Sequence, residues 1–239
     1  GKSLAVRLIC SIVLLSMTGC MRSSAEQKYF GIAKVPSDNV LHYVTGSEPE
    51  SLDPQFVTGQ PEARIMMAIY DGLVEYHPIT MEPIPAIAES WEIGPDGTEY
   101  LFHLRKNAKF SNGDPITAKD VVFSFRRGLS PELASRNANL AYYLKYAEAY
   151  NSARVFVRKP DGSFLLKNEG AEAARSDSFG PDSEFHRFID APERLTVPGD
   201  DASRKKLTDK DPKMKALLEG KQFVPVKAED VGIEAVDDY

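Results

Sequence analysis

After Lys2 and Arg7 the chain runs uncharged through residues 8–17 and reaches small residues ahead of Cys20. Residues 40–44 then alternate, with Tyr43 and Val44 among them, and predict a first strand ended by Gly46. The polar loop that follows carries Pro49 and Pro54, which fix φ and bar helix at Glu48 and Asp53. From Pro61 the spacing of Ile65, Met66, Ile69, Tyr70 and Leu73 predicts a helix over residues 61–71. Pro61 suits its first turn, Glu62 complements its dipole, and Gly72 is the expected cap before extended structure resumes at residues 73–76.

A β-hairpin is predicted next: Ala88-Glu89-Ser90-Trp91-Glu92-Ile93, a Gly94-Pro95-Asp96-Gly97 turn, and a return strand in which Tyr100, Phe102 and Leu104 alternate with polar neighbours. Asn112-Gly113 predicts a tight turn with positive φ. Thr117-Ala118-Lys119-Asp120 has the form of a capping box with Asp in place of Glu, and Val121, Val122, Phe125 and Leu129 form the apolar stripe of the helix behind it. Ser130-Pro131-Glu132 opens a second helical stretch, with Leu140, Tyr143, Leu144, Ala147 and Tyr150 expected on one side. Residues 154–212 mix charges of both signs with Gly/Ser/Asp clusters and read as a long surface insertion, although Phe156, Phe164, Leu165 and Ile189 argue that part of it packs. A short helix is expected between Asp211-Pro212 and Gly220, and a strand over residues 231–236.

The first twenty residues, with a basic start, a short apolar run and small residues before a cysteine, predict a secretion signal. The run falls short of the roughly 20 apolar residues that a membrane-spanning helix needs. Met17-Thr18-Gly19-Cys20 resembles the lipobox of bacterial lipoproteins, with Met17 where leucine is usual, and implies diacylation of Cys20; ordinary cleavage to a soluble product is the alternative. Residues 21–38, mostly polar and without periodicity, are expected to be a flexible tether, and residues 39–239 the folded domain.

Composition narrows the function classes. The chain has 42% hydrophobic and 27% charged residues and a formal charge of −6, close to the averages for soluble domains, with no basic stripe for a nucleic acid. Both cysteines, Cys10 and Cys20, lie in the signal region, so the body has no thiolate site. His42, His77, His103 and His186 form no His-Glu-x-x-His pair, and there is no Gly-x-Ser-x-Gly elbow, so neither a metal nor a catalytic residue is expected. Glu89 and Glu92 flank Trp91 in an alternating strand and are read as structural.

The order and spacing of Gly46-Ser47-Glu48, Ser51-Leu52-Asp53-Pro54, Ile87-Ala88-Glu89-Ser90-Trp91-Glu92, Phe102-His103-Leu104-Arg105, Phe110-Ser111-Asn112-Gly113 and Thr117-Ala118-Lys119-Asp120-Val121 resemble the oligopeptide and dipeptide solute-binding proteins of ABC importers. Gly220-Lys221 and Gly232-Ile233-Glu234-Ala235-Val236-Asp237-Asp238 extend the likeness, which covers residues 40–153 and 213–239 and leaves 154–212 unexplained.

This resemblance implies a mixed α/β fold of the type II periplasmic-binding-protein class, of which the chain would be the N-terminal lobe, with the C-terminal lobe missing. It implies a lipid-anchored, monomeric cell-envelope protein without cofactor, which captures a peptide and delivers it to an ABC permease and its ATPases. By the same resemblance the loop after Leu52-Asp53-Pro54 lines the peptide cleft, giving Thr58, Gly59 and Gln60, and the segment before Tyr143-Leu144 adds Asn139 and Leu140. Oligopeptide binders carry an acidic and an aliphatic residue around that glycine, where this chain has Thr58 and Gln60. A sibling of the same fold that binds a nickel complex, an oligosaccharide or a signalling peptide, and an envelope scaffold that binds nothing, are the alternatives.

Overall fold

The computed structural model describes residues 40, 42–167 and 193–239. The signal and tether readings, Cys20 included, lie outside the described residues. The chain divides into two compact units, Gly1–Val44 and Thr45–Tyr239. In the first, residues 40 and 42–44 form no strand, against the expectation from their alternation. A strand needs a neighbour to take up its backbone hydrogen bonds, and no sheet among the described residues includes these positions.

The second unit begins with helix α1, Gln60–Ile69. It stops short of residue 71, because Tyr70 turns extended and donates its N–H to the Met66 carbonyl, so Tyr70 rather than Gly72 is the cap. The Gly72 and Leu73 carbonyls are taken instead by the N–H groups of Ile87 and Ala88, at 3.1 and 3.0 Å. That extended pairing ends the helix. Ile69 and Tyr70, expected on the apolar stripe, are exposed.

Strands β1, Val74–Tyr76, and β2, Pro83–Pro85, pair antiparallel. The predicted hairpin forms from β3, Ala88–Ile93, and β4, Tyr100–Leu104, closed by Gly94 N–H to the Glu99 carbonyl at 2.8 Å. The Asn112-Gly113 turn forms with Gly113 at φ +94, a conformation glycine adopts without steric cost. Helix α2, Ala118–Gly128, follows, and the Asp120 carboxylate accepts both the N–H of Thr117 at 2.8 Å and its hydroxyl at 2.7 Å. Val122 and Leu129 of the predicted stripe are buried.

The expected second helix is broken in two. A 3-10 turn, Ala138–Ala141, and a short α3, Ala147–Asn151, are separated by residues 142–146, the last of which, Tyr146, has φ 58. The left-handed residue interrupts the 3.6-residue phase. Leu144, Ala147 and Tyr150 therefore pack with Leu129, Ala138 and Val231, while Leu140 and Tyr143 point outward.

A three-stranded antiparallel sheet forms from β5, Val155–Arg158, in the centre, β6, Thr196–Val197, and β7, Gln222–Pro225. Helices α4, Asp201–Lys210, and α5, Pro212–Leu218, lie between β6 and β7 in the chain. Alternation sends Val155 and Val157 to one face, where they pack with Leu165, Val197 and Leu218 and are covered by Leu207, Met214 and Leu217. Phe156 faces the other way, onto Ala149 and Val226. At its described ends the stretch read as a surface insertion thus contributes core residues, and residues 168–192 lie outside the description.

Residues 231–236 form no strand. Val231 is instead buried against Leu129 and Ala147, and the Gly232 N–H donates to the Lys145 carbonyl at 2.9 Å. Those packing and hydrogen-bonding demands are met in an irregular path, with a second 3-10 turn at Ala228–Asp230 just before it.

Candidate functional site

The segment from Asp53 to Gly59 is irregular, and side chains distant in sequence fix its course. Arg127, in the last turn of α2, forks onto Asp53 through Nη1 to Oδ1 at 3.1 Å and Nη2 to Oδ2 at 2.6 Å, and Nη1 also donates to Gln55 Oε1 at 2.5 Å. The Gln55 amide donates onward to the Ser124 carbonyl at 2.6 Å. The Arg127 hydrogen bond holds the Asp53 carboxyl below its ordinary range, and the same contact raises the guanidinium of Arg127. Planar, two-pronged pairing of this kind fixes geometry as well as charge.

The far side of the loop is tied to the segment after Pro131. The Ser135 hydroxyl donates to the Gln55 carbonyl, and Asn137 Nδ2 donates to the Val57 carbonyl at 2.7 Å. These two bonds bring together the two stretches that supply the predicted ligand residues. Thr58, Gly59 and Gln60 follow Val57 directly, and Asn139 and Leu140 lie two and three residues past Asn137. Thr58, Gln60 and Asn139 are exposed, Gly59 is half-buried, and Leu140 is 71% exposed. The structure thus leaves Thr58, Gln60, Asn139 and Leu140 exposed and Gly59 half-buried, at the start of α1 and in the 3-10 turn, with the two stretches tied through main-chain acceptors.

A large cleft among the described residues lies elsewhere. A cleft of about 1580 Å³ opens between the β3–β4 hairpin, α2 and the Lys145 loop, with Phe102, Val121, Phe125, Tyr143, Arg194 and Ile233 among its walls. None of the five predicted residues lines it. Burial lowers the Lys145 ammonium and raises the Tyr146 phenol at its edge, and the Tyr146 hydroxyl accepts the Arg194 N–H at 2.7 Å.

Sequence reasoning missed Arg127, Ser135 and Asn137, which contact the loop across 72 to 80 residues of chain. No local periodicity marks such contacts. His103 pairs with Glu92 at 2.9 Å across the hairpin, and His77 accepts the N–H groups of Ile79 and Thr80 in a turn, so both have local structural partners. Among the described residues no group of three or more His, Cys, Asp or Glu is placed to hold a metal, and no helix is long and apolar enough to cross a membrane.

The family model described as bacterial extracellular solute-binding proteins, family 5 (middle), matches residues 82–239. The chain belongs to family 5 of the extracellular solute-binding proteins. Its mixed α/β arrangement is accordingly part of a type II periplasmic-binding-protein fold. Family 5 proteins are non-catalytic binding proteins. The dipeptide-binding protein DppE of Bacillus subtilis is 35% identical over 173 residues, covering 71% of this chain and 30% of that protein. The periplasmic oligopeptide-binding protein OppA of Escherichia coli is 43% identical over 154 residues, covering 64% of this chain and 27% of OppA. Heme-binding protein A of Haemophilus influenzae is 32% identical over 184 residues, covering 68% and 34%. The chain therefore spans about a third, or less, of the length of these family 5 relatives.

Proposed function

We propose that this family 5 chain serves the substrate-binding component of a peptide ABC importer, which captures oligopeptides or dipeptides outside the inner membrane and delivers them to a permease and its ATPases. The observation that carries the reading is 43% identity to an oligopeptide-binding protein over 154 residues, 64% of this chain. The geometry is compatible: two exposed loops, cross-tied through the Gln55 and Val57 carbonyls, offer Thr58, Gly59, Gln60, Asn139 and Leu140 to an extended ligand. A peptide held there through its main chain gains affinity without a strict demand on its side chains. Binding closes the protein around the ligand without covalent chemistry, so the protein is not an enzyme. It acts as a monomer held to the membrane by acyl chains on Cys20.

A second reading keeps the fold and changes the solute. It is favoured by the 32% identity to Heme-binding protein A, since members of one fold family bind different ligands. Native mass spectrometry of the protein extracted from the cell envelope, followed by identification of what it releases on denaturation, separates the two. Short peptides are the expected outcome; a released porphyrin, sugar or metal complex would replace the substrate, and a protein that releases nothing and takes up nothing from a peptide mixture would point to an envelope scaffold that binds no solute.

A further inference from the structure

Glu62 is the one buried charged side chain among the described residues, retaining 5% of its surface. Its Oε1 accepts the Glu50 N–H at 2.6 Å. Oε2 is buried without a hydrogen-bond partner. A buried acceptor in that state is costly, so its persistence calls for a reason. The reason lies in where the carboxylate sits. Gly59, the residue before α1, has φ −82 and ψ 157, an extended conformation open to any residue. Its backbone does not require glycine.

What excludes a side chain at Gly59 is Glu62. A Cβ there would overlap Oε2 and approach Cδ to 3.0 Å. The end of a flexible side chain would ordinarily swing away from such a clash, but this one is held by the Glu50 N–H. Moving it would release the start of the loop. Residues 50, 59 and 62 thus form one clamp: a carboxylate fills the space a missing side chain leaves and ties the loop that begins near Glu50 to the helix that begins after Gly59.

We propose that Glu62 is the positioning residue of the ligand-lining loop, acting through Gly59 and the Glu50 amide without touching ligand. This rests on the peptide-binding reading above and names the device that presents Thr58 and Gln60 in one conformation. Nothing in the clamp requires a full charge. An amide oxygen at position 62 accepts the same N–H, so Glu62→Gln keeps the loop in place and Glu62→Ala does not.

The test is a double-mutant cycle in the full chain, read by titration with a mixture of alanine di- to pentapeptides and by amide exchange at Glu50. Gly59→Ala should weaken peptide binding on the order of tenfold in the wild-type background, the scale of coupling between residues in contact. It should cost about twofold or less once Glu62→Ala has removed the carboxylate it collides with. Glu62→Gln should bind like the wild type, and Glu50 should exchange faster in Glu62→Ala, Gly59→Ala and the double variant but not in Glu62→Gln. Additive effects of the two alanine substitutions, or equal Glu50 exchange in all variants, would overturn the clamp. A wild-type protein with no affinity for the peptides would instead sink the peptide reading, leaving Glu50 exchange to decide the role of Glu62.

Discussion

Phe156 retains 1% of its surface. Its ring meets Tyr146 edge-on at 5.0 Å and Phe164 at 5.6 Å, and the guanidinium of Arg194 lies over both Phe156 and Phe164, at 5.2 and 4.5 Å. Truncating a fully packed aromatic removes its contacts and leaves a cavity, so Phe156→Ala should cost about 3–5 kcal/mol in denaturant unfolding. Tyr143, 97% exposed, makes the contrast. Tyr143→Ala should stay within about 0.5 kcal/mol by the same measurement. Sequence placed Tyr143 on a helical stripe, and put Phe156 in a stretch read as a surface insertion while counting it among the residues that argue for packing there. The reason is physical: Val155, Phe156 and Val157 are buried on both faces of one strand, so the alternation that marks a half-buried strand is absent, and Arg154 and Arg158 frame the run like a surface segment.

At the scale of elements, legibility followed the range of the interactions. The β3–β4 hairpin and α2 are set by a turn and a cap within a few residues of the strand or helix they delimit, and both were readable. The loop from Asp53 to Gly59 was readable as a loop, which the resemblance proposes as a ligand lining; its shape was not, because α2 and the segment around Ser135 impose it from far along the chain. The Asp53–Arg127 pair gives this tie a pH signature. The folded-state pKa of Asp53 lies below the ordinary 3.8, so the carboxylate stabilises the fold fully above that value. The contribution is lost as pH falls from 3.8 through the lower folded value. Thermal melts should accordingly place wild type above Asp53→Asn at neutral pH, with the gap closing below pH 3.8; a gap that persists in acid would show that the pair's charge does not hold the loop.

Over the whole molecule, the family was legible from ordered short motifs, while the cleft beside Lys145 was not, since its walls come from segments as distant as Phe102 and Ile233. The proposed lipid anchor is tested at this scale. Cys20→Ser should move the protein from the membrane fraction to the soluble fraction on centrifugation, and unchanged retention would refute acylation at that residue. The sheets carry one more consequence. Strand β2 is Pro83-Ile84-Pro85, β7 ends in Pro225, and β6 is two residues long. Proline offers no amide hydrogen to a passing strand, and two residues offer little length on which one could align. These three edges are poor templates for polymerisation, which suits the proposed role of offering backbone to peptides without joining copies of the chain into fibrils.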